Sequence, residues 1–344
     1  MEPPGTISTT AGREGTEPTP VTILNLVQAV NHALRDEMKR NDKIVILGED
    51  VGVNGGVFRA TEGLLHEFGP NRVIDTPLAE SGIIGVSIGM ALYGLRPVPE
   101  IQFMDFIYPG FDQIESELSK FRYRSGGQFP TPVVIRTPYG GGIKGSIYHS
   151  QSTEAFFAHT PGLKVVIPAT PYDAKGLLTS ALRDPDPIIF LEPKKIYRTV
   201  RGEVPDDEYT VPIGKANVAR NGQDVVIFAY GTMLHVALEA ADLAAGKGVN
   251  VEVVDLRTII PFDIETIMSS VEKTGRVVIL HEECKTCGFG AEIAAQIAER
   301  GILNLKAPIV RVAGFDIPFA YALEEEYLPN ANRVLHAVEQ VYNF

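Results

Sequence analysis

The chain is organised around the segment Asp75-Thr-Pro-Leu-Ala-Glu-Ser-Gly-Ile-Ile-Gly-Val-Ser-Ile-Gly-Met-Ala-Leu-Tyr-Gly94. Its start is typical of a strand end, and Pro77 turns the chain into an apolar helix that carries Glu80 in its first turn. Small residues recur along this helix at three- and four-residue spacing and let another backbone approach closely: Gly82, Gly85 and Gly89. A first-turn carboxylate also interacts favourably with the helix dipole, so spacing by itself favours a structural role for Glu80.

Length and composition predict a globular protein of two domains. The 344 residues exceed one ordinary core, and 44% of them are hydrophobic and 22% charged. No apolar run approaches the ~18 residues that span a bilayer, and no basic and apolar signal opens the chain, so we expect a cytoplasmic protein without a membrane role. The net charge of −12, without a basic stripe interleaved with aromatics, excludes nucleic acid as a partner.

The two cysteines, Cys284 and Cys287, form a single CxxC pair. They cannot build a disulfide framework, which fits a reducing cytoplasm. Such a pair could be a redox pair or half of a zinc site, but zinc needs two more ligands at matched spacing, and the sequence offers none. We expect an incidental pair at a strand-to-helix turn.

The order of strand-like and helical patterns predicts two α/β domains. Residues 1–20 consist mainly of Pro, Gly, Thr and Glu and predict a disordered arm. Residues 21–200 alternate β-branched strands with helices, as in a parallel sheet covered on both faces. A linker follows over 201–214, and a second α/β unit spans 215–344. Helices of the first domain are predicted over 23–40, 57–68, 80–93, 110–124 and 172–183.

Ligands of open parallel sheets bind beyond the carboxyl ends of strands, so the loops that follow strands are the places to look for a site. Three such loops carry unusual residues: Gly48–Gly56, Gln102–Phe106 and Pro138–Ser152. None contains a P-loop fingerprint. Gly140, Gly142 and Gly145 have the GxGxxG spacing, but no helix is predicted directly after them, as a dinucleotide-binding fingerprint requires, and Gly-rich loops are also ordinary turns. His149 lies in a polar loop, which makes it a candidate general acid or base.

Eight short segments together resemble one known family. The resemblance is to the β subunit of the thiamine-diphosphate-dependent decarboxylating component of 2-oxoacid dehydrogenase complexes. It covers about residue 21 to the C-terminus and implies two open, mostly parallel α/β domains: a transketolase-like pyrimidine-binding domain and a transketolase C-terminal-like domain. The segments are Leu47-Gly-Glu-Asp50, Asp75-Thr-Pro-Leu-Ala-Glu80, Gly94-Leu-Arg-Pro97, Glu100-Ile-Gln-Phe103, Phe111-Asp-Gln113, His149-Ser-Gln151, Pro161-Gly-Leu-Lys-Val-Val166 and Asp255-Leu-Arg-Thr258.

The resemblance assigns roles to five side chains. It implies that Glu80 hydrogen-bonds to the cofactor's pyrimidine ring and makes the ring a competent base, and that Phe106 stacks on that ring. Leu78 and Gln102 are expected to line the pocket, with Leu78 helping to bury Glu80. His149 is expected to manage protons during acyl transfer to a lipoyl group. Plain core packing is the alternative for Phe106.

Some relatives hold a structural potassium ion, and the resemblance places its site at a turn before the strand that starts near residue 187. A simple turn is the alternative, because several residues here differ from those of the relatives. The residues concerned are Asp184 and Asp186, with backbone carbonyls of Thr131, Val133, Val134 and Ala181.

The sequence lacks half of the cofactor site. Members that act alone carry a Gly-Asp-Gly segment followed by Asn-Asn, which binds Mg²⁺ and the diphosphate, and this chain has no Gly-Asp-Gly. The resemblance therefore implies an α subunit that holds Mg²⁺ and shares thiamine diphosphate, in a heterotetramer of two α and two β subunits. The second domain shows no comparable set of residues, and packing and dimerisation are its first expected role. Because relatives dock the dihydrolipoyl acyltransferase core with this domain, the acidic run Glu324-Glu-Glu326 and the Phe344 carboxylate are the expected docking groups.

The expected activity is oxidative decarboxylation of a 2-oxoacid with acyl transfer to a lipoyl group. Three segments favour branched-chain substrates: Phe121–Gly126, His149–Phe156 and Asp255–Pro261. Pyruvate is the alternative, and acetoin is a third. A hypothesis of another class is a non-catalytic scaffold that has lost the cofactor, against which the acidic residue, the stacking aromatic and the loop histidine are all present.

Overall fold

The computed structural model describes residues 20–344, so the arm predicted over residues 1–20 lies, apart from Pro20, outside the described residues. The strands are β1 Val21–Asn25, β2 Ile44–Gly48, β3 Val73–Asp75, β4 Arg96–Glu100, β5 Val134–Tyr139, β6 Lys164–Val166, β7 Ile188–Pro193, β8 Arg201–Pro205, β9 Asn217–Arg220, β10 Val225–Ala229, β11 Val251–Asp255, β12 Thr258–Ile260, β13 Val277–Cys284 and β14 Val310–Gly314. The helices are α1 Leu26–Arg40, α2 Leu64–Phe68, α3 Glu80–Leu92, α4 Phe121–Arg124, α5 Glu154–Ala158, α6 Pro171–Arg183, α7 Thr232–Ala245, α8 Ile264–Thr274, α9 Phe289–Gly301, α10 Glu324–Tyr327 and α11 Ala331–Tyr342.

The first sheet has seven strands in the order β12-β6-β7-β5-β4-β2-β3. All its pairings are parallel except that of β12 with β6. Strands such as β2 are buried along their whole length because helices cover both faces, as continuous apolar runs predict. Helices α1 and α6 pack on one face, and α3 packs on the other.

The second sheet has five strands in the order β14-β13-β10-β11-β9, with only β9 antiparallel. Helices α7 and α11 cover one face, while α8 and α9 cover the other. The residues of α8 and α9 belong to the same hydrophobic cluster as those of α3, so the two domains share a continuous core. The predicted pair of open, mostly parallel α/β units is confirmed.

Three predicted helices differ from those in the structure. The helix expected from residue 23 begins at Leu26, because Asn25 caps it and the preceding residues pair as β1 with β8. The helix expected over 57–68 shrinks to α2, since Gly63 takes a left-handed conformation before it. The helix expected over 110–124 is interrupted, with a π-helix at Gln113–Leu118 before α4.

Strand β12 joins the two domains. The chain leaves β11 of the second sheet and at once adds β12 to the edge of the first, where Thr258 lies opposite Val166. Arg257 between them forms an ion pair of 2.7 Å with Asp173 at the start of α6. The second domain therefore contributes a strand to the first sheet, while the predicted boundaries at 200 and 215 stay predictions.

Cys284 closes β13 and Cys287 precedes α9, at the strand-to-helix turn that the sequence predicts, and both are free thiols. Among residues 20–344, no helix has the length and the apolar character that a membrane crossing requires.

Candidate active site

Four adjacent parallel strands end at the same edge of the first sheet and bring the candidate residues together. Glu49 follows β2, Glu80 follows β3, Phe106 follows β4 and His149 follows β5. These strands are neighbours in the order β5-β4-β2-β3. Loops that are far apart in sequence therefore meet beyond one sheet edge, where ligands of parallel sheets bind.

Glu80 is the first residue of α3 and is buried, with 8% of its surface exposed. The residue before it, Ala79, offers no side-chain cap, and Gly110 approaches so closely that a Cβ there would lie 3.3 Å from the Glu80 carbonyl oxygen. A carboxylate whose only role is a favourable interaction with the helix dipole does not need to be buried and can remain solvent-exposed. The burial of Glu80 therefore favours a functional role over a purely structural one.

Glu49 is a second carboxylate at this edge, which the sequence did not single out. Burial raises the pKa of Glu49, and the negative charges of Glu80 and Asp50 raise it further. The carboxylate of Glu80 therefore lies close enough to Glu49 to disfavour the ionised form of Glu49. The sequence could have identified Glu49 as a candidate by its position directly after the buried strand β2.

His149 lies among aromatic rings. Its ring centroid is 5.2 Å from that of Phe106 and 4.6 Å from that of Phe103, with both phenyl rings roughly perpendicular to the imidazole. Edge-to-face contacts of this kind fix ring orientation. Phe106 is partly buried and packs against the core, as the packing alternative expects, and its stacking role stays a prediction. Phe103 is a further aromatic of the site that the sequence reasoning left unassigned.

Residues 140–152, the histidine loop, form a closed loop after β5. The Gly140 N–H donates to the carbonyl of Gln151 at 3.0 Å, and the Gln151 N–H donates to the Asp105 carboxylate at 3.2 Å. Lys144 and Ser146 adopt left-handed conformations that cost energy outside glycine. The loop is thus held at its base and places the half-buried His149 beside the aromatic rings.

The two expected pocket-lining residues differ in their surroundings. The Gln102 side chain donates to the carboxylate of Asp50 at 3.1 Å, so it is fixed at the site. Leu78 is 78% exposed and does not cover Glu80. The expectation that Leu78 helps to bury Glu80 is therefore wrong for this chain by itself, because a side chain so open to solvent covers little of its neighbours.

Side-chain cations neutralise the predicted potassium turn. The Lys164 ammonium contacts the Asp184 carboxylate at 2.7 Å and the Asp186 carboxylate at 3.1 Å, and Arg122 also pairs with Asp186. The Ala181 carbonyl accepts the Asp184 N–H at 3.2 Å. Residues 20–344 contain no group of three or more His, Cys, Asp or Glu side chains that could hold a metal. These contacts favour the simple turn, and the ion stays a prediction.

The acidic run of the second domain is not one exposed surface. Glu324 is 4% exposed, and its carboxylate accepts the backbone N–H of Lys144 at 3.1 Å. Glu325 and Glu326 remain exposed. The expectation that the whole run docks a partner is therefore wrong for Glu324, because its charge is used to hold the histidine loop.

A cleft of about 1490 Å³ opens between the domains, next to the histidine loop. One wall carries Ser152 and Phe156, and the other carries Glu282, Cys284 and Phe289. The second domain therefore borders the loop that presents His149.

Comparison with known families agrees with this geometry. The chain matches the family described as Transketolase, pyrimidine binding domain over residues 24–200, and the one described as Transketolase, C-terminal domain over residues 214–334. A solved chain described as "Split gene transketolase, inactive beta4 tetramer" has a TM-score of 0.77 and 25% identity, covering 93% of this chain and 98% of that one. The protein is thus of the transketolase-like class.

Two relatives with assigned activities identify the family within this class. "Pyruvate dehydrogenase E1 component subunit beta" of Bacillus subtilis (strain 168) is 52% identical, covering 93% of this chain and 99% of the relative. "2-oxoisovalerate dehydrogenase subunit beta" of the same organism is 49% identical, covering 94% and 100%. The chain belongs to the family of β subunits of 2-oxoacid dehydrogenase E1 components. This family depends on thiamine diphosphate.

Proposed function

We propose that the chain acts with an α subunit to decarboxylate a branched-chain 2-oxoacid and to pass the acyl group to a lipoyl group. One observation carries the proposal: Glu80, which is buried, lies at the same sheet edge as Phe106 and His149, whose ring centroids are 5.2 Å apart. Thiamine diphosphate would supply the carbanion chemistry that decarboxylation needs. The side chains of this family member are suited to the pyrimidine end of that cofactor.

Each residue has a distinct role in this proposal. Glu80 offers a buried carboxyl for a hydrogen bond to a ring nitrogen. Phe106 presents an aromatic face beside it, and Gln102, fixed by Asp50, offers an amide to the pocket. His149 stands across from Phe106 with a ring nitrogen available to give or take a proton during acyl transfer.

An α subunit would complete the site. The sequence has no Gly-Asp-Gly segment for Mg²⁺ and diphosphate, so the α chain would hold both. The surface around α3 supports this, because large apolar side chains are open to solvent there: Val53 80%, Leu78 78%, Val86 59% and Tyr93 91%. Apart from the backbone of its own helix, no atom of residues 20–344 lies within 4 Å of a Cβ built on Gly89, which is also on α3. A heterotetramer of two α and two β chains would cover these residues.

Pyruvate is the second candidate substrate, because the pyruvate dehydrogenase β subunit is 52% identical and the 2-oxoisovalerate dehydrogenase β subunit 49%. The deciding experiment purifies the chain with its α subunit and compares kcat/KM for 3-methyl-2-oxobutanoate and pyruvate. Acylation of a lipoyl domain and reduction of an artificial electron acceptor are both followed. Preference for the branched substrate supports the proposal, whereas a strong preference for pyruvate overturns that part of it. Robust turnover by the chain without α would overturn the shared site.

A non-catalytic scaffold is the candidate of another class. The solved relative described as an inactive tetramer shows that this fold does not ensure activity. Retention of Glu80, Phe106 and His149 at one sheet edge favours the enzyme. Assembly with α but no turnover of any 2-oxoacid, in the presence of thiamine diphosphate and Mg²⁺, would favour the scaffold.

A further inference from the structure

Three carboxylates fix the histidine loop at separate points. Glu324 accepts the N–H groups of Gly142 at 3.2 Å and of Lys144 at 3.1 Å. Asp105 accepts the N–H of Gln151 at 3.2 Å. Glu324 and Asp105 therefore hold the loop on both sides of His149.

The third carboxylate, like Glu324, comes from the second domain. Glu282, on β13, accepts the hydroxyl of Ser152 at 3.1 Å. Its Oε1 atom also lies so near Gly140 that any side chain there would collide with it. The base of the loop therefore packs closely around Glu282. All three carboxylates are buried, with exposed fractions of 9% for Asp105, 3% for Glu282 and 4% for Glu324.

Buried carboxylates repel one another unless a cation stands among them. Lys194, just after β7, is 4% exposed, and its Nζ atom has no hydrogen-bond partner among the described residues. Burial lowers the pKa of Lys194 to about 8, and the negative charges of three carboxylates oppose that shift: Asp105, Glu282 and Glu324. At neutral pH the amine is therefore mostly protonated.

The same cation reaches the aromatic cluster. The Lys194 Nζ atom lies 5.5 Å from the centroid of the Phe103 ring, and that ring touches the imidazole of His149. One oxygen each of Asp105 and Glu282 is buried without a hydrogen-bond partner in the described chain. Unpaired buried charges of opposite sign are tolerable only where they neutralise one another.

We infer that Lys194 is a positioning residue, whose buried ammonium neutralises the three carboxylates that hold the histidine loop and so keeps His149 in place for acyl transfer. The inference rests on the proposed function and adds Lys194 to the residues that support its acyl-transfer step. Lys194 touches no reacting group, and it acts through Asp105, Glu282 and Glu324.

The test compares K194M with K195M in the complex with α. Lys195 is the exposed neighbour, and methionine keeps the stem that packs on Gly142. In K194M, acylation of the lipoyl domain should fall by at least about tenfold, since a buried charge cluster loses its cation. Reduction of an artificial acceptor should change by less than about twofold, since decarboxylation does not need His149. Lys195 also acts on Glu282, but from an exposed position where solvent screens its charge, so K195M should change either rate by less than about twofold.

Hydrogen exchange of residues 140–152 supplies an independent readout. Exchange should rise in K194M and stay unchanged in K195M. Because K194M could be misfolded, K194A is assayed with and without ethylammonium chloride, and recovery of acylation supports a requirement for the charge. Wild-type acylation and exchange in K194M, or no recovery of K194A by the amine, would overturn the inference. Absence of decarboxylation by the wild-type complex would instead overturn the proposed function, while the exchange measurement would still test Lys194.

Discussion

The phenyl ring of Phe103 stands edge-on to the imidazole of His149, with centroids 4.6 Å apart and planes at 80°. The contact joins the loop after β4 to the loop after β5. Phe103 in turn packs on Phe58, with ring centroids 5.6 Å apart. The orientation of His149, the candidate acid–base residue, is thus set by edge-to-face aromatic contacts.

Removing the Phe103 ring should impair acyl transfer. In F103L, we expect lipoyl-domain acylation to fall by about three- to tenfold, the worth of an edge-to-face pair. Stopped-flow acylation of a lipoyl domain measures the effect. Phe129 is exposed, so F129L serves as the control and should behave like the wild type. Equal rates in the two variants would show that Phe103 does not orient His149.

Replacing the histidine should separate two half-reactions. In H149A, acyl transfer to the lipoyl domain should fall by about 100-fold or more, because a general acid–base group is lost. Reduction of an artificial acceptor should persist, since it bypasses the transfer. H336A, on the exposed face of α11, is the matched control. If H149A loses both reactions equally, the assigned role is wrong.

Glu80 should be essential for activity but not for assembly. E80Q keeps the shape of the side chain and removes its acidity, so we expect turnover to fall by about 100-fold or more. Size-exclusion chromatography should show normal assembly with α. Calorimetric titration with thiamine diphosphate checks the site without relying on turnover. The exposed residue Glu62 supplies the control E62Q, and near-normal rates in E80Q would favour the scaffold hypothesis.

Asp255 should make stability depend on pH. Burial raises its pKa from 3.8 to about 8, the charge of Asp173 adds to this, and Arg257 opposes it. The folded chain therefore keeps a proton that the unfolded chain loses above about pH 4, so stability falls as pH rises towards 8. D255N removes this titration and should raise the melting temperature at pH 8 by on the order of 5 °C.

The control for that measurement is D42N, at an exposed position. Scanning calorimetry of both variants between pH 4 and pH 8 should show a flatter profile only for D255N. Parallel profiles for D255N and the wild type would contradict the assignment of the buried proton to Asp255.

The buried triad under the site should dominate local stability. Arg136, 1% exposed, contacts Glu100 and Glu192, each at 2.7 Å. R136M should cost about 3–5 kcal/mol in the free energy of unfolding, because two buried carboxylates lose their cation. R124M breaks the exposed pair with Glu117 and should cost less than about 1 kcal/mol. Urea denaturation measures both, and similar losses would refute the distinction.

Local sequence determined the backbone of the central segment. The strand that ends at Asp75, the turn at Pro77 and the helix from Glu80 follow from apolar periodicity and turn chemistry, which act over a few residues. The same rule gave most strands of both domains. It failed before Leu26, where pairing with the distant β8 overrides a helical pattern.

Only the tertiary structure decided which side chains surround His149. Asp105 lies 46 positions from Gln151, Glu282 lies 130 from Ser152, and Glu324 lies 182 from Gly142. No periodicity links residues so far apart, because their meeting depends on strand order and on how the domains pack. The sequence therefore determined that Glu80 begins a helix beyond a strand. Its burial, its position beside Glu49 and the sheet edge that it shares with His149 exist only in the folded chain, and they support the proposal that Glu80 belongs to an active site.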